Sequence, residues 1–333
     1  MDAKRFGISP FTVGLFLAVI VASVFPCKGK GLAAMNAMVF WGIVLLFFLH
    51  GAVLSRETAL RGLLHWRLHL LVILFTFGLF PLFGLFLRPL ATWMLTPELY
   101  SGVLFLCVLP STVQSSIAFT AIAKGNVSAA VCSATLSNLM GILLTPILFS
   151  LLGVFLSMKG NVAVSLASVG TIIKQLLVPF IVGQGLHAKL WGTISRHKRI
   201  LDTIDQGVIL LIVYAAFSEA VGEGLWSRTP LAALCGVLMV AALMLAFALG
   251  VSSWVSKKLG FCRADRVAIV FCGSKKSLAS GLPMAQALFG GQIASVGAIV
   301  LPLMVYHQLQ LLVCAVLAER FRTRQGMAHP APS

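Results

Sequence analysis

Charge in this chain is confined almost entirely to the gaps between long apolar stretches. Ten such stretches occupy residues 10–26, 31–54, 68–87, 99–123, 127–156, 163–186, 205–224, 230–254, 265–289 and 291–318. A helix that crosses a bilayer needs about 20 apolar residues, so each is long enough to span. The chain is 59% hydrophobic and only 10% charged, against about 25% charged in soluble domains. It has too little polar surface to face water on all sides. Hydrocarbon offers the backbone no partners, so spans of this length must be helical. The expected fold is an all-α membrane protein of ten transmembrane helices, with the lipid bilayer as its first partner.

Loop charge orients the spans. With the N-terminus inside, seventeen lysines and arginines fall in or beside inside segments and five outside, and Lys174, Lys275 and Lys276 lie within spans. That asymmetry places both termini in the cytoplasm. It also accounts for the formal net charge of +16 without a nucleic-acid partner, since the basic residues are scattered among short loops. Lys4 and Arg5 precede the first apolar run, but no small-residue cleavage site follows, so this run reads as a retained span. Residues 55–69 carry apolar and basic side chains in a helical pattern, as either a helix on the membrane surface or a solvated linker. The seven cysteines form no C-x-x-C pair and mostly sit in apolar runs, where they read as small buried side chains.

Ten spans divide into two sets of five, 1–160 and 161–322, followed by a tail over 323–333 that is expected to be disordered. In each set the fourth span is interrupted and the fifth contains a proline. The first interruption is Cys107-Val108-Leu109-Pro110-Ser111-Thr112-Val113-Gln114-Ser115-Ser116, and the second covers Phe271 to Ser277. The fifth spans carry Thr145-Pro146 and Leu301-Pro302. Five is odd, so the second set must lie inverted relative to the first. Interrupted spans at matching positions of two halves point to the binding site of a secondary transporter. A helix broken at mid-membrane exposes free N–H groups at one new end, which favour anions, and free C=O groups at the other, which favour cations.

The second interruption holds Lys275 and Lys276. A lysine at that depth costs at least about 2.5–3.5 kcal/mol, and an ionisable group there marks a substrate or ion path. Four readings stand. One lysine occupies the space of a sodium ion as a fixed cation. One exchanges its proton on desolvation and couples transport to protons. One contacts an anionic substrate as a point charge. Or one forms a salt bridge within the core, with Glu219 and Glu223 of span seven as counter-ions. Further candidates to line the breaks are Gln114, Ser115, Ser116, Thr120, Phe271, Ser274 and Ser277. On span five Asn138 is the residue expected to reach the crossing, because an unpaired amide in hydrocarbon is costly. Serines and threonines can also bond back to helix carbonyls. His50, His307, Gln308 and Gln310 suit hydrogen bonds between helices.

Leu109 to Pro146, with its proline-plus-small break, its Lys-Gly-Asn turn at 124–126 and its closing Leu-Thr-Pro, resembles the fourth and fifth spans of the bile acid:sodium symporter family. Phe271 to Met284, Leu301-Pro302-Leu303-Met304 and Tyr306-His307 resemble the member-7-like branch of solute carrier family 10 in its bacterial form. The resemblance implies panel and core domains, with spans four and nine unwound and crossing. It also implies sodium-coupled symport of organic anions of bile-acid or steroid-sulfate type. No cofactor is implied beyond sodium as a coupling ion. The sodium ligands that the family places on the ninth span fall here on Phe271 and Lys275. Those on the fifth span fall on Ala130 and Ala134, and a Ser-Asn pair falls on Ser116 and Ile117. Only Ser116 carries over as a metal ligand. Proton-coupled or uncoupled anion transport, and a non-transporting role in ion homeostasis, are therefore the alternatives. No G-x-x-x-x-G-K-[ST] loop supports ATP-driven transport. No H-E-x-x-H or G-x-S-x-G motif, or acid close in sequence to His50 or His307, supports an intramembrane enzyme. The sequence assigns no oligomeric state.

Overall fold

The computed structural model describes residues 10–53, 65–156, 166–222, 224–289 and 296–328, and among these every regular element is helical. Glu223 and most of the 55–69 stretch lie outside the described residues. Helices α1 (Pro10–Val24) and α2 (Lys30–Val53) are followed by α3 (Trp66–Phe86), a short α4 (Arg88–Met94) and α5 (Pro97–Val108). After a non-helical segment come α6 (Gln114–Ile122) and α7 (Val127–Phe155). The second part of the chain forms α8 (Leu166–Gly185), α9 (His187–Arg196), α10 (Lys198–Gly222), a single turn α11 (Leu225–Arg228) and α12 (Leu231–Lys258). Then come α13 (Arg263–Gly273), α14 (Leu278–Phe289) and α15 (Val296–Ala328). The last helix thus runs six residues into the expected tail.

Among the described residues six helices are long and apolar enough to cross a membrane: α2, α3, α7, α10, α12 and α15. Shorter apolar helices, among them α5, lie between them. Their outer faces expose large apolar residues such as Phe16, Trp41, Leu82 and Trp254, as lipid contact requires. Helical structure also extends beyond the apolar runs. Helix α9 falls where the sequence suggests a basic inside loop, and α10 begins at Lys198 rather than near 205. A search for apolar length overlooks α9 and the first turns of α10, because these are rich in charge although they wind as ordinary helix.

The helices pack in two sets that also touch each other through α7–α8, α10–α14 and α10–α15. In one, α2 packs on α8, α1 packs on α10, and α10 also packs on α2. The α2–α8 contact is made by backbone. A Cβ added at Gly183 would lie 2.0 Å from the Phe48 carbonyl oxygen, and one at Gly51 would lie 2.1 Å from that of Phe180. In the other group α5 packs on α15, α13 on α7, α3 on α5 and α7, and α12 on α13 and α15. Prolines 146 and 302 are housed inside continuous helices.

Helix α3 carries a widened π turn over Phe75–Leu79. Its cause is two residues downstream. The Phe80 N–H, which in regular winding would reach the Thr76 carbonyl, bonds the Phe75 carbonyl instead. The next candidate donor is Pro81, which has no N–H. The Thr76 carbonyl is left without a backbone donor at the depth of both helix interruptions.

Candidate functional site

The two interruptions meet. The first runs from Leu109 to Val113 between α5 and α6, and the second from Ser274 to Ser277 between α13 and α14. The Ser277 N–H donates to the Pro110 carbonyl at 2.8 Å, joining one unwound segment to the other. Ser111 Oγ donates to the Cys272 carbonyl at 2.6 Å, and Ser116 Oγ to that of Phe271 at 3.1 Å. Pro110 and the small residues around it explain the first break, since proline removes a donor and restrains the residue before it.

Buried carbonyls need partners, and each one from Cys107 to Ser111 has one. Thr145 Oγ1 donates to Val108 O at 2.8 Å, and Asn138 Nδ2 donates to Ser111 O at 2.6 Å. The Cys107 and Leu109 carbonyls accept from Lys276 Nζ at 2.7 and 2.8 Å, and the same ammonium reaches the stranded Thr76 carbonyl at 2.8 Å. The Phe80 ring centroid lies 4.1 Å from that nitrogen. Gln310 acts as a surrogate strand for the second break. Its Oε1 accepts from the Lys276 N–H at 2.9 Å, and its Nε2 donates to the Lys276 carbonyl at 2.9 Å. Tyr306 OH donates to the Ser274 carbonyl at 2.6 Å.

Adjacent in sequence, the two lysines have different surroundings. Both are fully buried. Lys275 Nζ lies 3.8 Å from the Phe119 ring centroid and 5.6 Å from that of Phe271, and no hydrogen bond reaches it. Cys272, Cys314 and His307 are its titratable neighbours. The three oxygens that Lys276 Nζ bonds are backbone carbonyls.

In front of the junction lies a cavity of about 790 Å³ between the two helix groups. Gln114 and Ser115 at the start of α6, Asn138 of α7, Ser277 to Ser280 at the start of α14, and His307 of α15 line its polar side. Phe11, Phe47, Phe180 and Ile209 form an apolar wall opposite. Towards the N-terminal end of α10 the lining includes Asp202, Asp205 and Gln206. His50 Nε2 pairs with Asp205 Oδ2 at 3.3 Å. The sequence separation of 155 residues hides this partner of His50. Ser116, Thr120, Phe271, Ser274, Lys275 and Lys276 are buried behind the cavity, and Glu219 does not line it.

Asn138 ties the cavity to the junction. Besides Ser111 O it bonds Ala134 O at 3.0 Å, and its Oδ1 accepts from Ser280 Oγ at 2.5 Å. Asn138→Leu leaves the Ser111 carbonyl without a donor, at a cost of about 1–3 kcal/mol. The expected result is a lowered melting temperature together with at least about a tenfold loss of solute binding, read by thermal shift and by titration of the purified protein. Wild-type values in both would remove Asn138 from the site.

The residues present do not build a sodium site of the kind the family resemblance implies. Ala130 and Ala134 offer no side-chain oxygen, and Ser116 Oγ is engaged with Phe271 O and Thr112 Oγ1. Among the described residues no group of three or more His, Cys, Asp or Glu side chains could hold a metal ion.

A model of the SBF-like CPA transporter family matches residues 9–323. The uncharacterized protein PA2026 of Pseudomonas aeruginosa is 50% identical over 331 residues, covering 99% of this chain and 98% of that one. YfeH of Escherichia coli (strain K12), named as a symporter, is 46% identical over 315 residues, 95% and 93% of the two chains. Sodium/bile acid cotransporter 7 of Xenopus tropicalis is 30% identical over 318 residues, 94% and 91% of the two.

Proposed function

The chain belongs to the SBF-like CPA transporter family, a family of transporters and not of enzymes, and on that premise we propose that it moves an amphipathic organic anion across the bacterial inner membrane by alternating access. The observation that carries this reading is the placement of two helix starts. Gln114 and Ser115 open α6, Leu278 and Ala279 open α14, and all four border the same cavity. The first N–H groups of a helix have no partner within it, and its N-terminal end carries partial positive charge. An anionic head group is held between them, while the apolar wall takes a steroid-like body. Bile acids and steroid sulfates have that chemistry, and the name of the Xenopus relative points the same way.

The packing supports two inverted halves, 1–160 and 161–322, with both termini cytoplasmic. Exchanging the halves turns the α2–α8 contact into the α10–α1 contact, and the α5–α15 contact into the α13–α7 contact. The group of α1, α2, α8 and α10 corresponds to a panel, and the helices that carry the breaks correspond to a core. The cavity between them is the surface that one group exposes as it rocks against the other.

Uptake of a labelled steroid sulfate or bile acid into proteoliposomes tests the reading. Wild type is expected to show saturable uptake that unlabelled anion competes away. Ala279→Asp places a carboxylate at the start of α14, where a helix tolerates it well. Uptake should fall at least about tenfold through like-charge repulsion, with the melting temperature within a few degrees of wild type. Equal uptake by empty vesicles, or no effect of Ala279→Asp, would argue against the anion site.

A further inference from the structure

Lys276 sits where broken-helix transporters commonly collect a free cation. In such proteins, unwound carbonyls and the C-terminal ends of half-helices coordinate the coupling ion. Here α5 ends at Val108, and the carbonyls of Cys107 and Leu109 turn inward at that end. The partial negative charge of a helix C-terminus collects there. The third oxygen, from Thr76, is set free by the π turn of α3. All three lie 2.7–2.8 Å from one nitrogen, and the Phe80 ring covers it.

Three carbonyls cannot donate, so they require three N–H donors. An ammonium has three, and a neutral amine has only two. The geometry is therefore that of a charged lysine. Gln310 holds the Lys276 backbone on both sides, so the side chain is tethered as well as satisfied.

We infer that Lys276 is a built-in monovalent cation, occupying a carbonyl site that would otherwise take a free ion, and that transport by this chain does not require sodium. Two observations converge on this: the oxygens that the family resemblance assigns to sodium are mostly missing, and the carbonyl site that remains is filled by the chain's own ammonium. The consequence for uptake rests on the transporter reading given above, whereas the site itself does not. Lys275, which bonds no oxygen, has no part in it.

Melting of the purified protein in choline, sodium and methylammonium chloride at equal ionic strength tests the site. Wild type should melt at the same temperature in choline and sodium. Lys276→Ala should melt more than about 5 °C lower in choline, and sodium or methylammonium should restore at least about half of that loss in a saturable way, because a ligand of the folded state raises its melting point. Lys276→Met, which fills the space with an apolar chain, should be lowered and recovered by neither cation. Saturable stabilisation of wild type by sodium would overturn the inference. So would a Lys276→Ala protein that ignores all three cations or folds in none of them. Uptake by wild-type proteoliposomes should retain at least about half its rate when sodium is replaced by choline. Absence of uptake in every salt would sink the transporter reading and leave the melting result standing, whereas strict sodium dependence would sink the inference alone.

Discussion

Gly183→Ala is expected to destabilise the protein by at least about 3 kcal/mol, and Gly183→Val to yield no monodisperse protein in detergent. A methyl at Gly183 would stand 2.0 Å from the Phe48 carbonyl oxygen, and the reciprocal position, Gly51, faces Phe180 O at 2.1 Å. Both neighbours are helix backbone, which cannot swing aside as a side chain can. The helices would have to separate, opening voids along the rest of their interface, and overpacking of this kind costs about 1–3 kcal/mol even where side chains can adjust. Small residues at such crossings let two membrane helices approach closely. Gly185, on the same helix, has nothing within 4 Å of an added Cβ, so Gly185→Ala is the matched control. Thermal melts that rank the two alanine variants equally would show that the α2–α8 contact is looser than described.

Gln310→Leu should have a comparable effect through different physics. It strips the Lys276 N–H and carbonyl of their partners at once. Each orphaned group costs about 1–3 kcal/mol, so the sum is about 2–6 kcal/mol. Gln310→Glu keeps the acceptor for the N–H and loses the donor to the carbonyl, so it should fall between wild type and leucine. A melting series in that order supports the surrogate-strand role. Equal melting of leucine and wild type would show that water or another group satisfies the Lys276 backbone.

The span positions were largely legible, because apolar length sets them. The stretch expected at 127–156 is α7, Val127–Phe155, and the stretch expected at 31–54 is α2, Lys30–Val53. The two interruptions were legible too. Pro110 with its serines and threonine, and the Gly273-to-Ser277 run, are residues that a continuous apolar helix has little use for. The division of labour between Lys275 and Lys276 was not legible. It depends on which nitrogen meets carbonyls of Thr76 and Cys107, and both lie more than 160 residues away in the chain. A carbonyl is carried by every residue, so composition cannot mark the ones that face inward. Pro81 alone did not mark Thr76: in regular winding it strands the Phe77 carbonyl four residues before it, and the Thr76 carbonyl is freed only once the π turn hands the Phe80 N–H to Phe75. The glycine crossing of α2 and α8 was hidden for a related reason, since many glycines in this chain have open space around them.

The π turn in α3 has a consequence for the chain beyond it. Each residue of an α-helix turns the axis by about 100°, so one extra residue over Phe75–Leu79 rotates everything from Phe80 onward relative to the preceding half. Phe80 covers the Lys276 ammonium only in that rotated phase. Regular winding of the same sequence would carry the ring about 100° to another side of the helix and return Thr76 O to the Phe80 N–H. The local irregularity in α3 thus acts as an angular key, matching one helix to a charge carried 200 residues away.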